Sequence, residues 1–324
     1  MKILVTGGCG FIGHHLVQHI IINTDWDVII IDKLSYASNG LERLRDMNYL
    51  THPRVKLFTW DLATKLSDGI IQEIGELDII AHLAAETHVD NSIADPVLFI
   101  QNNVMSTTYL LEYARTLKSL KCFLCFSTDE VYGPAFGSKL YTEDDRHNPK
   151  NPYSASKACA ENICVAYENT YKIPVITINA MNVIGERQLS EKFLPLAMKK
   201  ILNGETIYIH TDKNRIPGSR FYIHARNVAD AVLHILKNGK VGQCYNIAGE
   251  QEVNNLELVQ MISGIMEKPL KYELIDFHST RPGHDLRYGL DGSKLAELGW
   301  SPPKTFFESL SKTVMWTLGN KKWL

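Results

Sequence analysis

Through its first 180 residues the chain alternates short apolar runs with longer stretches whose apolar residues recur at helical spacing. The runs fall at residues 2–6, 27–32, 55–60, 78–83, 121–128 and 174–179. Such near-continuous apolar runs read as strands buried on both faces, and the helices between them carry the chain back for parallel pairing. Helices are predicted over 10–23, 96–116 and 153–171. The pattern therefore predicts an α/β fold built on a doubly wound parallel sheet.

Beyond Gly185 the elements shorten and are punctuated by Pro195, Pro217-Gly218 and Pro282-Gly283. The expected division is a sheet domain over 1–180, to which a segment at about 227–249 returns, and a smaller C-terminal substrate domain over 181–324. The helical stretches 96–116 and 153–171 carry wide apolar faces. Two readings stand for them: cover for the sheet, or a helix bundle with a second copy of the chain.

Composition narrows the class. The 324 residues are 45% hydrophobic and 22% charged with a formal net charge of −2, so no basic excess points to a nucleic-acid partner. Apolar runs such as Val28-Ile29-Ile30-Ile31 are far too short to span a membrane, and the start reaches glycine too early for a secretion signal, so a cytoplasmic protein is expected. Cys122 and Cys125 lie three apart in a strand-like run and point to opposite faces, which makes them buried thiols rather than a ligand pair. The 12 histidines have no ligand-like spacing, and adjacent His14 and His15 are expected to diverge on a helix; no metal is expected.

Candidate chemistry begins where the first strand runs into Gly7-Gly8-Cys9-Gly10-Phe11-Ile12-Gly13 and a helix opens. Glycines allow a tight turn and close backbone approach, and the free N–H groups of a helix start attract a pyrophosphate. Asp32 ends the second strand, where a carboxylate accepts the ribose hydroxyls of NAD and repels the 2′-phosphate of NADP. Strand, loop, helix and acid together define a Rossmann-type site for NAD.

A second constellation lies at the end of the fifth strand, Phe126-Ser-Thr-Asp-Glu-Val-Tyr-Gly133, with a hydroxyl, two carboxylates and a phenol at the sheet edge where ligands bind. Tyr153 and Lys157 fall four apart on one helix face. Alone they are an ordinary surface pair. Beside a dinucleotide loop they become a candidate acid–base pair, since a nearby ammonium lowers a phenol's pKa and a tyrosinate can take a proton from a substrate hydroxyl.

With these segments, and with Asp32-Lys-Leu-Ser-Tyr-Ala-Ser-Asn39, Ala84-Ala-Glu-Thr-His-Val-Asp-Asn-Ser92, Asn151-Pro-Tyr-Ser-Ala-Ser-Lys157, Glu191-Lys-Phe-Leu-Pro195 and Arg281-Pro-Gly-His-Asp285, the chain resembles the extended short-chain dehydrogenase/reductases. Within them it resembles the nucleotide-sugar 4,6-dehydratases of the dTDP-glucose 4,6-dehydratase type, over nearly its whole length. Thr128-Asp129-Glu130 discriminates, because sugar epimerases of the superfamily usually lack the adjacent acids.

The resemblance implies a nucleotide-diphosphate sugar as partner, NAD as cofactor and a homodimer. It implies that Tyr153, with Lys157 and Thr128, takes the proton of the sugar 4-hydroxyl as hydride leaves C4. Glu130 then removes the C5 proton, Asp129 protonates the departing 6-hydroxyl, and hydride returns to C6. It places Gly7, Gly10, Phe11, Ile12, Gly13, Asp32, Lys33, Ser35, Asp61, Leu62, Ala84, Ala85 and Asn103 around NAD, with Tyr153 and Lys157. It turns Glu86, Thr128, Asn182, Lys192, Arg220, Asn255, Arg281 and His284 toward the nucleotide sugar. A C4 epimerase using the same Tyr153, or dehydration with C5 epimerisation, are the alternatives.

Three departures bear on the substrate. Asn179 and Ile184 replace a usual arginine and tyrosine, Arg220-Phe-Tyr222 follows an insertion near Pro217-Gly-Ser219, and Ser106 replaces a usual glycine. They leave dTDP-glucose, UDP-glucose and UDP-N-acetylglucosamine as candidates.

Overall fold

Seven parallel strands form the central sheet in a computed structural model that describes residues 1–276 and 286–324. They are β1 (Lys2–Thr6), β2 (Asp27–Asp32), β3 (Val55–Thr59), β4 (Ile79–His82), β5 (Cys122–Thr128), β6 (Val175–Ala180) and a last strand, Cys244–Ile247. In space the order runs from Cys244–Ile247 through β6, β5, β4, β1 and β2 to β3. The winding therefore reverses between β1 and β4, and a crevice opens at the carboxyl ends of those strands. The α/β, doubly wound reading holds, with strand ends within a residue of those expected.

Each face of the sheet is covered by its own core. Cys122 and Leu124 pack into one, with Ile3, Val5 and Ile30, while Phe123 and Cys125 pack into the other, with Leu4, Ile31 and Leu111. The strand alternation thus separates the two thiols, and all six cysteines are free.

The stretch expected as one helix over 96–116 is a helical run in three parts: Pro96–Ile100, a π-helical turn Gln101–Met105, and Ser106–Ala114. The wider turn brings adjacent Asn102 and Asn103 both to the buried side. The returning segment is the helix Ala225–Asn238 followed by Cys244–Ile247, which pairs with β6. That helix packs along α1 (Phe11–Asn23), so α1 is enclosed between it and the sheet.

Enclosure corrects one expectation. His14 and His15 do not diverge: both are buried, with ring centroids 4.0 Å apart. A helix buried nearly all round offers no polar side to turn one ring toward. The His14 ring meets the Gly10 carbonyl at 3.0 Å and His15 Nε2 the Glu186 carbonyl at 3.2 Å.

A third core gathers residues from the later part of the chain. Leu194 and Met198 of Phe193–Asn203, Leu258 and Ile262 of Asn255–Met266, and Leu310 and Val314 of Phe306–Gly319 close over Ile207 and Ile209. Among the described residues no helix is long and apolar enough to cross a membrane.

Candidate active site

The loop after β1 is shaped by what a side chain would strike. Gly7 has φ +69°, and a Cβ there would stand 2.9 Å from the backbone of Ala84; on Gly13 it would stand 2.1 Å from the Gly7 carbonyl oxygen. Only glycine lets strand, turn and α1 approach this closely. The first turn of α1 carries no acidic side chain, so nothing offsets its positive end. Beside it the buried Asp32 accepts hydrogen bonds from the N–H groups of Cys9 (3.0 Å) and Leu34 (2.8 Å). Burial pushes its carboxyl pKa up, against these bonds and the charges of Arg43 and Lys33. A helix start with no capping or acidic side chain, and a fixed carboxyl at the next strand end, fit the pyrophosphate and adenosine ribose of a dinucleotide.

A cleft of about 450 Å³ runs from this loop to the end of β5. Gly7, Gly10, Phe11, Ile12, Gly13, Asp32, Lys33, Ser35, Asp61, Leu62, Ala84, Ala85 and Glu86 line one end. Thr128, Asp129, Glu130, Tyr153 and Lys157 line the other, with Asn182 and Lys192. A second cavity of about 570 Å³ shares Asn182 and Lys192 and adds Arg220 and Asn255. Asn103 stands behind the wall, its side chain bonded to the Glu86 N–H (2.8 Å), the Glu86 carbonyl (3.0 Å) and Ser156 (2.9 Å). Arg281 and His284 lie outside the described residues.

The helix Pro152–Tyr171 positions the tyrosine and lysine. Asn151 caps it by accepting from the Ser154 N–H at 2.8 Å, Ser154 returns a bond to the Asn151 N–H, and Pro152 supplies a φ already suited to the first turn. Tyr153 and Lys157 follow on its buried face. Lys157 Nζ donates to the Phe126 carbonyl at 2.7 Å, which ties the helix to β5. Burial raises the Tyr153 phenol pKa, Glu130 and Asp129 add to that, and a hydrogen bond with Thr128 opposes it. The expected lowering by Lys157 is not found: burial raises the phenol most, the two carboxyls add to it, and the ammonium is bonded to the Phe126 carbonyl.

At the end of β5, residues Asp129–Tyr132 form a single 3₁₀ turn capped by Thr128. The Thr128 hydroxyl donates to Asp129 Oδ1 at 3.0 Å. Asp129 is buried, and desolvation, with Glu130 next, lifts its pKa to about 7. Glu130 is half-buried and accepts from Asn151 Nδ2 at 3.1 Å and the Tyr288 hydroxyl at 3.5 Å. One acid is held near half-protonation at neutral pH beside a second that is tethered by two donors, an arrangement suited to giving one proton and taking another. The phenol of Tyr132 turns away, stacked on Tyr141 at 5.5 Å.

Residues 4–313 match the family model described as GDP-mannose 4,6 dehydratase. The chain belongs to that family. Over 99% of its length and 96% of the relative's it is 40% identical to a dTDP-glucose 4,6-dehydratase of Neisseria gonorrhoeae. The dTDP-glucose 4,6-dehydratase of Bacillus anthracis, solved in complex with NAD, superposes with a TM-score of 0.88 at 32% identity, covering 100% of this chain and 98% of that one. The UDP-glucuronic acid 4-epimerase of Bacillus cereus, solved with UDP-glucuronic acid and NAD, also gives 0.88, at 26% identity, covering 99% and 100%. The fold is therefore shared by dehydratases and epimerases that bind NAD.

Several residues of the site carry weak sequence signals. Lys33 and Glu86, read as separate cofactor and sugar residues, form an ion pair at 2.8 Å, and Lys33 also reaches Asn102 at 3.0 Å. Asn91 bonds the Tyr36 hydroxyl at 3.1 Å, joining the same two segments a second time. Asn151 reads from sequence as a cap before proline; its second bond, to Glu130, needs the fold. Asn179 is fully buried, donating to the Thr128 carbonyl at 3.2 Å and Glu161 at 3.0 Å.

Proposed function

We propose that this chain is an NAD-dependent nucleotide-sugar 4,6-dehydratase, a hydro-lyase that converts a nucleotide-diphosphate hexose to its 4-keto-6-deoxy derivative and water. The observation that carries the reading is the buried Asp129, with its pKa near 7, set beside Glu130 at the catalytic end of the cleft. A C4 epimerase needs a proton relay at Tyr153 alone and leaves this acid pair without work.

When bound, NAD supplies the acceptor for hydride from sugar C4 and the donor of that hydride to C6. Tyr153 takes the 4-hydroxyl proton as its phenolate, a form that burial alone disfavours and that the positive charge of bound NAD, with Lys157 on the same helix face, would favour; Thr128 is bonded to its phenol oxygen. The resulting ketone acidifies C5–H, and Glu130 removes that proton. Asp129, protonated, delivers a proton to the departing 6-hydroxyl, so water leaves. Glu130 then returns its proton to C5, Tyr153 releases the proton it took from the 4-hydroxyl, and Asp129 takes one up, so the net loss is one water. Stabilising an ionised carboxyl at Asp129 is disfavoured by burial, so it gives up its proton only as the leaving group demands it.

Asn182 and Lys192 line both the cleft and the second cavity, and Arg220 and Asn255, which line the second cavity, are the residues assigned to the diphosphate and nucleoside in this reading. The relatives' names make dTDP-glucose the first substrate to try, followed by UDP-glucose and UDP-N-acetylglucosamine. A second copy of the chain is the partner proposed for the apolar face that exposes Val97, Leu98, Ile100 and Val165. Six free thiols fit a reducing cytoplasm. The test is incubation with these nucleotide sugars without added reductant: a new C6 methyl resonance supports the reading, and a panel returned unchanged, or epimerised with the 6-hydroxyl intact, refutes it.

A further inference from the structure

Tyr153, Lys157 and Glu161 stand at successive four-residue steps along the helix Pro152–Tyr171, all on its buried side. The first two reach the cleft; Glu161 does not. Its carboxyl lies instead beneath the turn that carries the acids. Oε1 accepts from the Ser127 hydroxyl and, at 3.0 Å, from Asn179 Nδ2, which also donates to the Thr128 carbonyl at 3.2 Å. The other oxygen pairs with His147 Nε2 at 3.4 Å. Through these bonds one buried carboxyl grips both residues that precede Asp129.

We propose that Glu161, held by His147, is a positioning residue for the dehydration step: it fixes Ser127 and Thr128, and with them the direction in which Asp129 and Glu130 face the sugar. The inference rests on the dehydratase reading and adds to it a residue that touches neither substrate nor cofactor.

The surroundings leave few groups to share that task. On its own helix Glu161 has Lys157 one turn back, whose ammonium is bonded to the Phe126 carbonyl, and the Cys164 thiol. From β5 come Ser127 and the Cys125 thiol, from β6 Asn179, and from the last strand the Cys244 thiol, which donates to Asn179 Oδ1 at 2.8 Å. From the loop before the helix comes His147, which meets the Tyr132 ring of the 3₁₀ turn edge to face at 5.6 Å, and Glu143 acts on the same Tyr132 and Cys244 groups. His147 is the cation that pairs directly with the carboxyl, and Glu161 holds the imidazole pKa above its ordinary value. A carboxylate this deep is costly without such a partner. Rising pH removes the His147 charge, and the grip loosens in that direction.

The test compares Glu161→Gln, Glu161→Asp, His147→Gln and the double variant Glu161→Gln/His147→Gln with the wild type, using the nucleotide sugar the wild type converts. Glu161→Gln is expected to lower kcat by about tenfold or more, as small misplacements of reacting groups do, with KM and bound NAD unchanged. Glu161→Asp recovers part of the loss. His147→Gln, at a side chain already a quarter exposed, is expected to fold even where a Glu161 variant does not, and to lower kcat in the same way. The double variant is no worse than the poorer single one, because the two act as a unit. In wild type the His147 resonances titrate above the ordinary imidazole midpoint, and in Glu161→Gln they fall back.

Full kcat in His147→Gln and Glu161→Gln overturns the inference. So does a loss matched by lost NAD or raised KM, which marks a purely structural role. Failure of the wild type to form any C6 methyl product overturns the dehydratase reading itself, a different result from either.

Discussion

Gly13 is packed so closely on Gly7 that a methyl group on its Cα would stand 2.1 Å from the Gly7 carbonyl oxygen. The obstacle is backbone, which cannot swing aside as a side chain can. Gly13→Ala is therefore expected to open the turn and weaken NAD binding by at least about tenfold, the consequence of 1.4 kcal/mol or more. Wild-type protein is expected to copurify with NAD, because the hydride it gives up is returned within one turnover. Cofactor content after gel filtration, by absorbance and enzymatic cycling, checks both; full occupancy in Gly13→Ala contradicts this role of the turn.

Asp129→Asn keeps the shape of the turn and removes the proton donor. Oxidation at C4 remains and elimination stalls, so enzyme-bound reduced nicotinamide accumulates after mixing with substrate while product formation falls by about 10²–10⁴-fold. Stopped-flow absorbance with NMR of the sugar reads both quantities. Wild-type product formation with no reduced cofactor is the contrary result.

The same carboxyl sets a pH dependence. The Asp129 pKa is raised to about 7 by desolvation and then by Glu130. The acid form is the active one, so kcat/KM for the dehydration falls as pH rises through about 7. For stability the sign agrees: a carboxyl whose folded pKa is raised favours folding when protonated, and that gain is lost as pH climbs from the unfolded value toward 7. Asp129→Asn escapes the loss, so its Tm relative to wild type is expected to rise between pH 5 and pH 7 and level off above that, and a flat difference across that window contradicts the burial argument.

Acid stability follows from the buried imidazoles. His14 and His15 are held well below the usual imidazole range by burial, and His82, between the Thr6 and Thr107 hydroxyls, is pushed down to about 3. A histidine with a depressed folded pKa binds its proton first in the unfolded chain, so stability falls as pH drops below about 6.5. Three such groups give a slope approaching roughly 4 kcal/mol per pH unit. Denaturant midpoints from pH 7 to pH 5 test this, and replacing His15 with glutamine is expected to flatten the curve.

Much of the site is local in sequence and was legible there. The glycine turn, Asp32, the Thr128-Asp129-Glu130 turn and the Tyr153/Lys157 spacing each depend on one strand end or one helix face, and all converge on one cleft. What the sequence hid depends on residues far apart in the chain. The Lys33–Glu86 bridge joins two strand ends, Glu161 meets His147 and Asn179 through three different elements, and the contact of His14 with His15 follows from a helix supplied two hundred residues later. The π-helical turn at Gln101–Met105 left no periodic trace, because one widened turn shifts the apolar pattern by a single residue.

The central claim is that hydride removed from C4 returns to C6 of the same sugar. Nucleotide sugar carrying deuterium at C4, converted in ordinary water, tests it directly by NMR and mass spectrometry. The dehydratase account predicts a product whose C6 methyl holds one deuterium, with C4 a ketone. Deuterium retained at C4 of an epimerised sugar, or absent from a C6 methyl, contradicts it.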